Sequence, residues 1–345
     1  MAKYVFCFVL VWLVSPVLAL EKYTAQREEM GTQVRIVVYS DDGKSAIQAA
    51  NAALDEFNRL NGIMSDYLSE SEVRKICDTT DTQSPVCLSD ELYTVLQRAA
   101  EVSKVSGGAF DVTVGPVVKL WRRARRQKQL PTKENLAEAK QWVGWQNVEL
   151  LAGNKVLVKK TGMRIDLGGI AKGYALESAM AVLKKRGVKH ALIDAGGDIV
   201  LSEPPPGKKT WSILIESLET GQILRLAGQN ASDSPQATAN AGTTLDVKNV
   251  AVTTSGDLWQ YTEIDGVRYS HIVDPATGLG LTNRSTVTVV GPSATLSDAY
   301  ASALSVLGPK KGLALIEKMP QYEARIVTLE NNKVKVYPSS GWKFK

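Results

Sequence analysis

The chain has 345 residues, 44% of them hydrophobic and 22% charged, with three cysteines and a formal net charge of +5. That is the composition of a globular protein, with enough apolar material for one large domain or two closely joined ones. The small positive charge argues against nucleic-acid binding in a chain that opens with an export signal, and the cysteines lack any metal-type spacing.

At the N-terminus Lys3 precedes an apolar run from Val5 to Val14, then Ser15-Pro-Val-Leu-Ala19 offers small or β-branched residues where signal peptidase reads them. The run falls well short of the ~20 residues a membrane span needs. Residues 1–19 therefore predict a secretory signal peptide cleaved near Ala19, and residues 20–345 the mature unit, exported to the periplasm or another extracytoplasmic space. Cys7 lies inside the run and no cysteine follows the cleavage position, which argues against a lipoprotein anchor. Cys77 and Cys87 flank a stretch rich in Asp, Thr, Ser and Pro; in an oxidising compartment they either close a small loop or stay as free thiols.

Thr32 to Tyr39 alternates apolar and polar residues and predicts a strand, led in by Met30-Gly-Thr32. From Ser45 to Met64, Ile47, Ala50, Leu54, Phe57 and Leu60 recur at helical spacing, and Asp90 to Val105 repeats the pattern. The basic run Arg122 to Lys128 follows Trp121 in a helical segment and reads as a solvated face. Further strands are expected at Val148–Leu151, Lys155–Lys159, His190–Ile193 and Thr210–Ile215, with a helix from about Ala171 to Arg186. Strands and helices mix without strict alternation, so a mixed α/β or α+β fold is expected rather than a Rossmann fold. Gln229 to Asp246 is rich in Ala, Ser, Thr, Asn and Gly and predicts a long mobile loop.

Three glycine clusters follow from the same reading. Ser106 to Pro116 places a flexible turn before Phe110 and Asp111, where backbone and carboxylate could approach a ligand. Asp166-Leu-Gly-Gly-Ile-Ala-Lys172 runs into a helix, whose free N–H groups and Lys172 could meet a phosphate. Asp194-Ala-Gly-Gly-Asp198 is a third close turn, read as structural. None has the pattern of a dinucleotide or P-loop glycine motif.

His271, one of two histidines, stands between a strand-like run and an Asp-Pro-Ala-Thr-Gly turn that exposes it. It is either a turn residue or a base, since an imidazole titrates near neutrality. His190 opens a strand and reads as structural. Asp298 and Ser302 lie one helical turn apart, so a carboxylate and a hydroxyl share a face at a helix N-terminus where a hard cation could use both.

The order of Met30-Gly-Thr, Ser65-Asp-Tyr67, Gly108-Ala-Phe-Asp111, Asp166 to Gly173, Gly196-Gly-Asp198, Thr254-Ser-Gly256, Ser270-His-Ile-Val-Asp-Pro275 and Ser297-Asp-Ala299 resembles the ApbE family, the FAD:protein FMN transferases, over nearly the whole mature chain. The resemblance implies a T-fold-related architecture of mixed sheets flanked by helices. It implies FAD as substrate, and Mg²⁺ on its pyrophosphate. The acceptor would be a threonine of an exported or membrane-anchored FMN-carrier protein, with AMP released. By the same resemblance Met30, Tyr67, Ala109, Phe110, Asp111, Asp166, Lys172 and Ile272 line the FAD site, Tyr67 by stacking on the flavin. The Gly169 carbonyl, Asp298 and Ser302 ligate the metal, Ser302 standing where the family usually has threonine. His271 becomes the base that takes the acceptor's proton. Two other readings stay open: an FAD pyrophosphatase in which water replaces the threonine, and a flavin-binding protein without turnover.

Overall fold

The computed structural model describes residues 20–78, 81–215, 218, 243–257 and 260–344. The expected signal peptide lies outside the described residues, as does most of the expected loop, residues 229–242.

The frame is one eight-stranded antiparallel sheet in the order β1-β2-β6-β7-β10-β13-β14-β15. Its strands are β1 (Glu21–Glu29), β2 (Thr32–Ser40), β6 (His190–Ala195), β7 (Asp198–Leu201), β10 (Ala251–Gly256), β13 (Ser285–Gly291), β14 (Glu323–Glu330) and β15 (Lys333–Pro338). Alternation along β2 explains its place: Val34, Ile36 and Val38 enter the main core, while Val37 enters a second core on the opposite face. The central strand β13 is buried at every position. Such a strand has layers on both sides.

One face carries three helices, α1 (Gly43–Met64), α6 (Ala171–Lys185) and α7 (Ala294–Ile316). α1 begins at Asp42, whose side chain accepts the Lys44 N–H at 3.0 Å, and buries Leu54, Phe57 and Leu60 as its spacing predicts. α7 begins at Ser293, which accepts the Leu296 N–H at 3.2 Å, and is interrupted at Gly308-Pro309, where φ 69° and a missing N–H break the helix. The other face is covered by the hairpin of β8 (Trp211–Ile215) and β9 (Thr243–Val247), whose Trp211, Ile213, Leu245 and Val247 close the second core. The expected loop therefore ends early: residues 243–246 alternate inward and outward and pair with β8.

Between α1 and α6 the chain forms α2 (Glu72–Asp78), β3 (Val86–Cys87), α3 (Asp90–Val105), α4 (Gly115–Gln127), α5 (Lys133–Lys140), β4 (Val148–Leu151) and β5 (Lys155–Val158). A small hairpin, β11 (Tyr261–Ile264) and β12 (Val267–Ser270), precedes His271. Cys77 and Cys87 are free thiols: Cys77 is buried and its Sγ accepts the Ile165 N–H at 3.2 Å, while Cys87 is exposed. Burial pushes the Cys77 thiol up to about 11. The mixed fold is the α+β one expected, and among the described residues every ladder between named strands is antiparallel.

Candidate active site

The N-termini of α6 and α7 are tied to each other. Ile170 gives α6 no side-chain cap, and the buried donor at Gly173, which has no partner within its own helix, is taken instead by Asp298 Oδ2 of α7 at 3.1 Å. In return Glu177 of α6 accepts from Ser293 Oγ at 2.5 Å, from the Thr295 N–H at 3.0 Å and from Thr295 Oγ1 at 2.8 Å. The two helix ends can approach this closely because residue 173 is glycine: a Cβ there would lie 2.3 Å from the Ala294 carbonyl oxygen. Gly169 works alike, since its Cβ would lie 2.9 Å from Ser302 Oγ and 3.2 Å from the Phe110 ring.

This junction places a charged cluster on the cavity wall. Lys172 Nζ is paired with Asp198 Oδ2, and Asp198 Oδ1 accepts the Thr254 N–H at 3.0 Å. Burial alone would lower the Lys172 ammonium, but Asp198 and Asp298 hold it above its ordinary value. Asp298 is lifted to about 7, first by burial and then by the charge of Asp198, against the opposing pull of Lys172. Two buried carboxylates therefore share one ammonium, which leaves a negative excess suited to a cation. Asp298, Ser302 Oγ and the Gly169 carbonyl are all hard oxygen donors, the chemistry Mg²⁺ prefers. Among the described residues no group of three or more His, Cys, Asp or Glu gathers as a ready-made metal cage. Such a sparse donor set matches an ion that keeps waters and substrate phosphates as ligands.

His271 lines the same cavity from the end of β12. Its Nδ1 lies 3.0 Å from the Gln260 carbonyl oxygen, which can only accept, so the proton sits on Nδ1 and Nε2 carries the free lone pair. Burial lowers its affinity for a further proton, with Arg125 and Lys172 adding to the shift and the Gln260 hydrogen bond opposing it. The following turn is built by Asp274, whose Oδ1 accepts the Ala276 N–H at 2.8 Å and whose Oδ2 accepts from Thr277 Oγ1 at 3.1 Å. His190 lies elsewhere, its Nδ1 held by the Pro204 carbonyl.

The cavity measures about 1230 Å³, and Met30, Tyr67, Ala109, Phe110, Asp111, Asp166, Gly169, Lys172, His271, Ile272, Asp298 and Ser302 all line it. Its size exceeds the roughly 300–1,000 Å³ of a pocket for a drug-sized molecule and suits a dinucleotide. Met30 sits at the tip of the β1–β2 hairpin with φ 49°, beside Gly31 at φ 73°. A non-glycine residue in that left-handed region is strained, and such strain concentrates where a side chain is aimed at a ligand. Asp111 shapes its wall: Oδ1 accepts from the Thr113 N–H at 2.8 Å and Thr113 Oγ1 at 2.6 Å, and Oδ2 from the Trp145 N–H at 3.1 Å.

The sequence profile of the ApbE family matches residues 30–326. The chain belongs to the ApbE family. A Haemophilus influenzae protein named FAD:protein FMN transferase is 31% identical over 300 residues, 84% of this chain and 82% of that protein. A Treponema pallidum protein of the same name is 30% identical over 317 residues, 89% of this chain and 84% of that protein. Among solved structures, flavin transferase ApbE from Vibrio cholerae superposes with a TM-score of 0.80 at 28% identity, covering 94% of this chain and 99% of that one. Pseudomonas stutzeri flavinyl transferase ApbE, in its apo form, gives 0.78 at 26% identity, covering 94% and 97%.

Two features of this ApbE-family cavity depart from the sequence reading. The Gly196-Gly197 turn is not only structural, because it delivers Asp198 to Lys172. The signal was present in the residue pair: two glycines reach the left-handed φ of 65° and 95° that this tight turn needs, and the aspartate directly after them opens the strand. Arg122 is not a solvated helix residue either. It turns inward to Asp66 and Asp166 on the cavity wall.

Proposed function

We propose that this protein is an FAD:protein FMN transferase, exported from the cytoplasm, that uses Mg²⁺ and passes FMN to a threonine hydroxyl of an exported carrier protein with release of AMP. The observation that carries this reading is the placing of Lys172 and Asp298 at paired helix ends, with Asp198 at the start of β7 and Ser302 one turn further along α7, in one dinucleotide-sized cavity with a histidine whose Nε2 is free.

The chemistry follows from those groups. The acceptor oxygen attacks the phosphorus on the FMN side of the pyrophosphate, a phosphorus–oxygen bond forms, and the bond to the bridging oxygen breaks so that AMP departs with the electron pair. His271 Nε2 takes the proton from the hydroxyl. Lys172, kept charged by Asp198 and Asp298, faces the negative charge that develops on the phosphates. Asp298, Ser302 and the Gly169 carbonyl are the groups that would hold Mg²⁺, which when bound would supply charge neutralisation that a single ammonium cannot. Serine at 302 offers the same kind of oxygen as threonine, so it is compatible with the site. Among the described residues no helix is long and apolar enough to cross a membrane.

The test is to incubate the mature protein with FAD and Mg²⁺, with and without a flavin-carrier domain, and to follow AMP. AMP formed only with the carrier present supports the transferase. AMP and free FMN without a carrier would make the protein a pyrophosphatase, and no AMP in either case would leave a flavin-binding protein.

A further inference from the structure

The basic run on α4 is not uniform. Arg123, Arg125 and Arg126 are exposed, whereas Arg122 is partly buried and ties two other chain segments to α4. Its Nη1 donates to Asp66 Oδ2 at 2.5 Å, and its Nη2 to Asp66 Oδ1 at 3.2 Å and to Asp166 Oδ2 at 2.7 Å. Its Cζ lies 4.0 Å from the centre of the Tyr67 ring. Asp66 follows α1 and Asp166 precedes α6, both outside regular structure, and the Asp166 segment is held by backbone pairing to residues 112–114 as well, so the planar guanidinium joins two loops to each other and to α4.

Tyr67 is nevertheless 76% exposed and lines the cavity. The guanidinium covers one face of its ring, and the rest of the ring is accessible. A tyrosine packed for stability would be covered; one backed by a cation and otherwise open presents a plane to a second flat ring. Asp166 sits beside it, with its second oxygen accepting the Gly168 N–H at 2.9 Å.

We infer that Arg122 is a positioning residue that preforms a seat, made of Tyr67 and Asp166, for one flat ring of the dinucleotide substrate, either the isoalloxazine or the adenine. This rests on FAD being the substrate. The seat lowers the cost of ordering two loops when the substrate binds. Lysine cannot replace the arginine, because a point charge cannot hold two carboxylates and stack on a ring at once.

The test compares wild type, Arg122→Gln and Arg122→Lys by equilibrium titration with FAD, FMN and AMP, alongside kcat and KM for FAD. In Arg122→Gln the FAD dissociation constant and KM should rise about tenfold, with kcat changed less than about threefold. The loss should appear with only one of the two mononucleotides, and that one identifies the seated ring. Arg122→Lys should not restore binding. Unchanged FAD affinity in folded Arg122→Gln, or equal losses for FMN and AMP, would overturn the inference while leaving the transferase reading standing. Wild-type protein that binds no FAD would remove both. If Arg122→Gln does not fold, Asp66→Asn, which removes the two-point anchor but keeps the guanidinium, is read by the same criteria.

Discussion

At one end of the cavity Lys172, Asp198 and Asp298 stand on helices and a strand whose backbones are paired and whose side chains lock onto one another; at the other, Tyr67, Asp66 and Asp166 stand on loops drawn together by Arg122. The first end is charge-dense and buried, and the groups that hold it together are the groups that would act on a phosphate. The second is open, and the group that holds it together stands behind the surface a ligand would touch. Chemistry and architecture are inseparable in one place and separable in the other. Substitutions at the first end should therefore destroy turnover, and substitutions at the second should tune affinity.

The largest expected effect breaks the charged end outright. Asp298→Ala should lower transfer by roughly a thousandfold, several kcal/mol of barrier, and weaken FAD binding measured with Mg²⁺ present. An Asp298→Ala protein that retained both its rate and its Mg²⁺ dependence would remove this residue as a ligand. Next is the junction that builds that end: Gly173→Ala puts a methyl against the Ala294 carbonyl and should cost roughly 1–3 kcal/mol by thermal unfolding, whereas an unchanged melting temperature would mean that α6 and α7 can separate freely.

Two pH effects sharpen the comparison further. With Asp298 raised to about 7, the metal-free folded protein binds a proton that the unfolded chain has already released above pH ~4. Its stability should accordingly fall as the pH rises to about 7 and then level off. Mg²⁺ replaces that proton, so added Mg²⁺ should raise the melting temperature more at pH 8 than at pH 5.5. An equal rise at both would contradict the assignment. The smallest effect concerns His271, which burial holds below its ordinary value. A base must be unprotonated to act, so the acid limb of kcat should lie below about pH 6.5. A limb above pH 7 would point to another group.

The sequence made α1 and α3 legible because Leu54, Phe57, Leu92 and Leu96 recur at helical spacing, whereas the two-turn α2, which buries Val73 and Ile76, is too short to show a period. β1 was not visible: it lies at the sheet edge with mostly exposed residues, so its Glu, Lys, Gln and Arg carry no apolar stripe. β13 was not singled out either: Thr286, Val287, Thr288 and Val289 alternate as in a half-exposed strand, yet the strand is buried at every position. The charged end of the cavity could be anticipated from Asp298, Ser302 and Lys172, since helical spacing alone brings two of them together. At the loop-built end the family resemblance names Tyr67 and Asp166 but misses Arg122, because a helix face turned toward a cavity has the same composition as one turned toward solvent. Arg122 and its exposed neighbours differ only in where they point.

The central claim is that His271 and the charged cluster perform a transfer which binding alone does not. The most direct measurement is the intact mass of a flavin-carrier domain after incubation with FAD, Mg²⁺ and either wild type or His271→Ala, with FAD affinity measured for both. Wild type should make the carrier heavier by one FMN, while His271→Ala, binding FAD nearly as well, should leave it unmodified over the same time. A carrier flavinylated at comparable rates by both proteins would contradict the account.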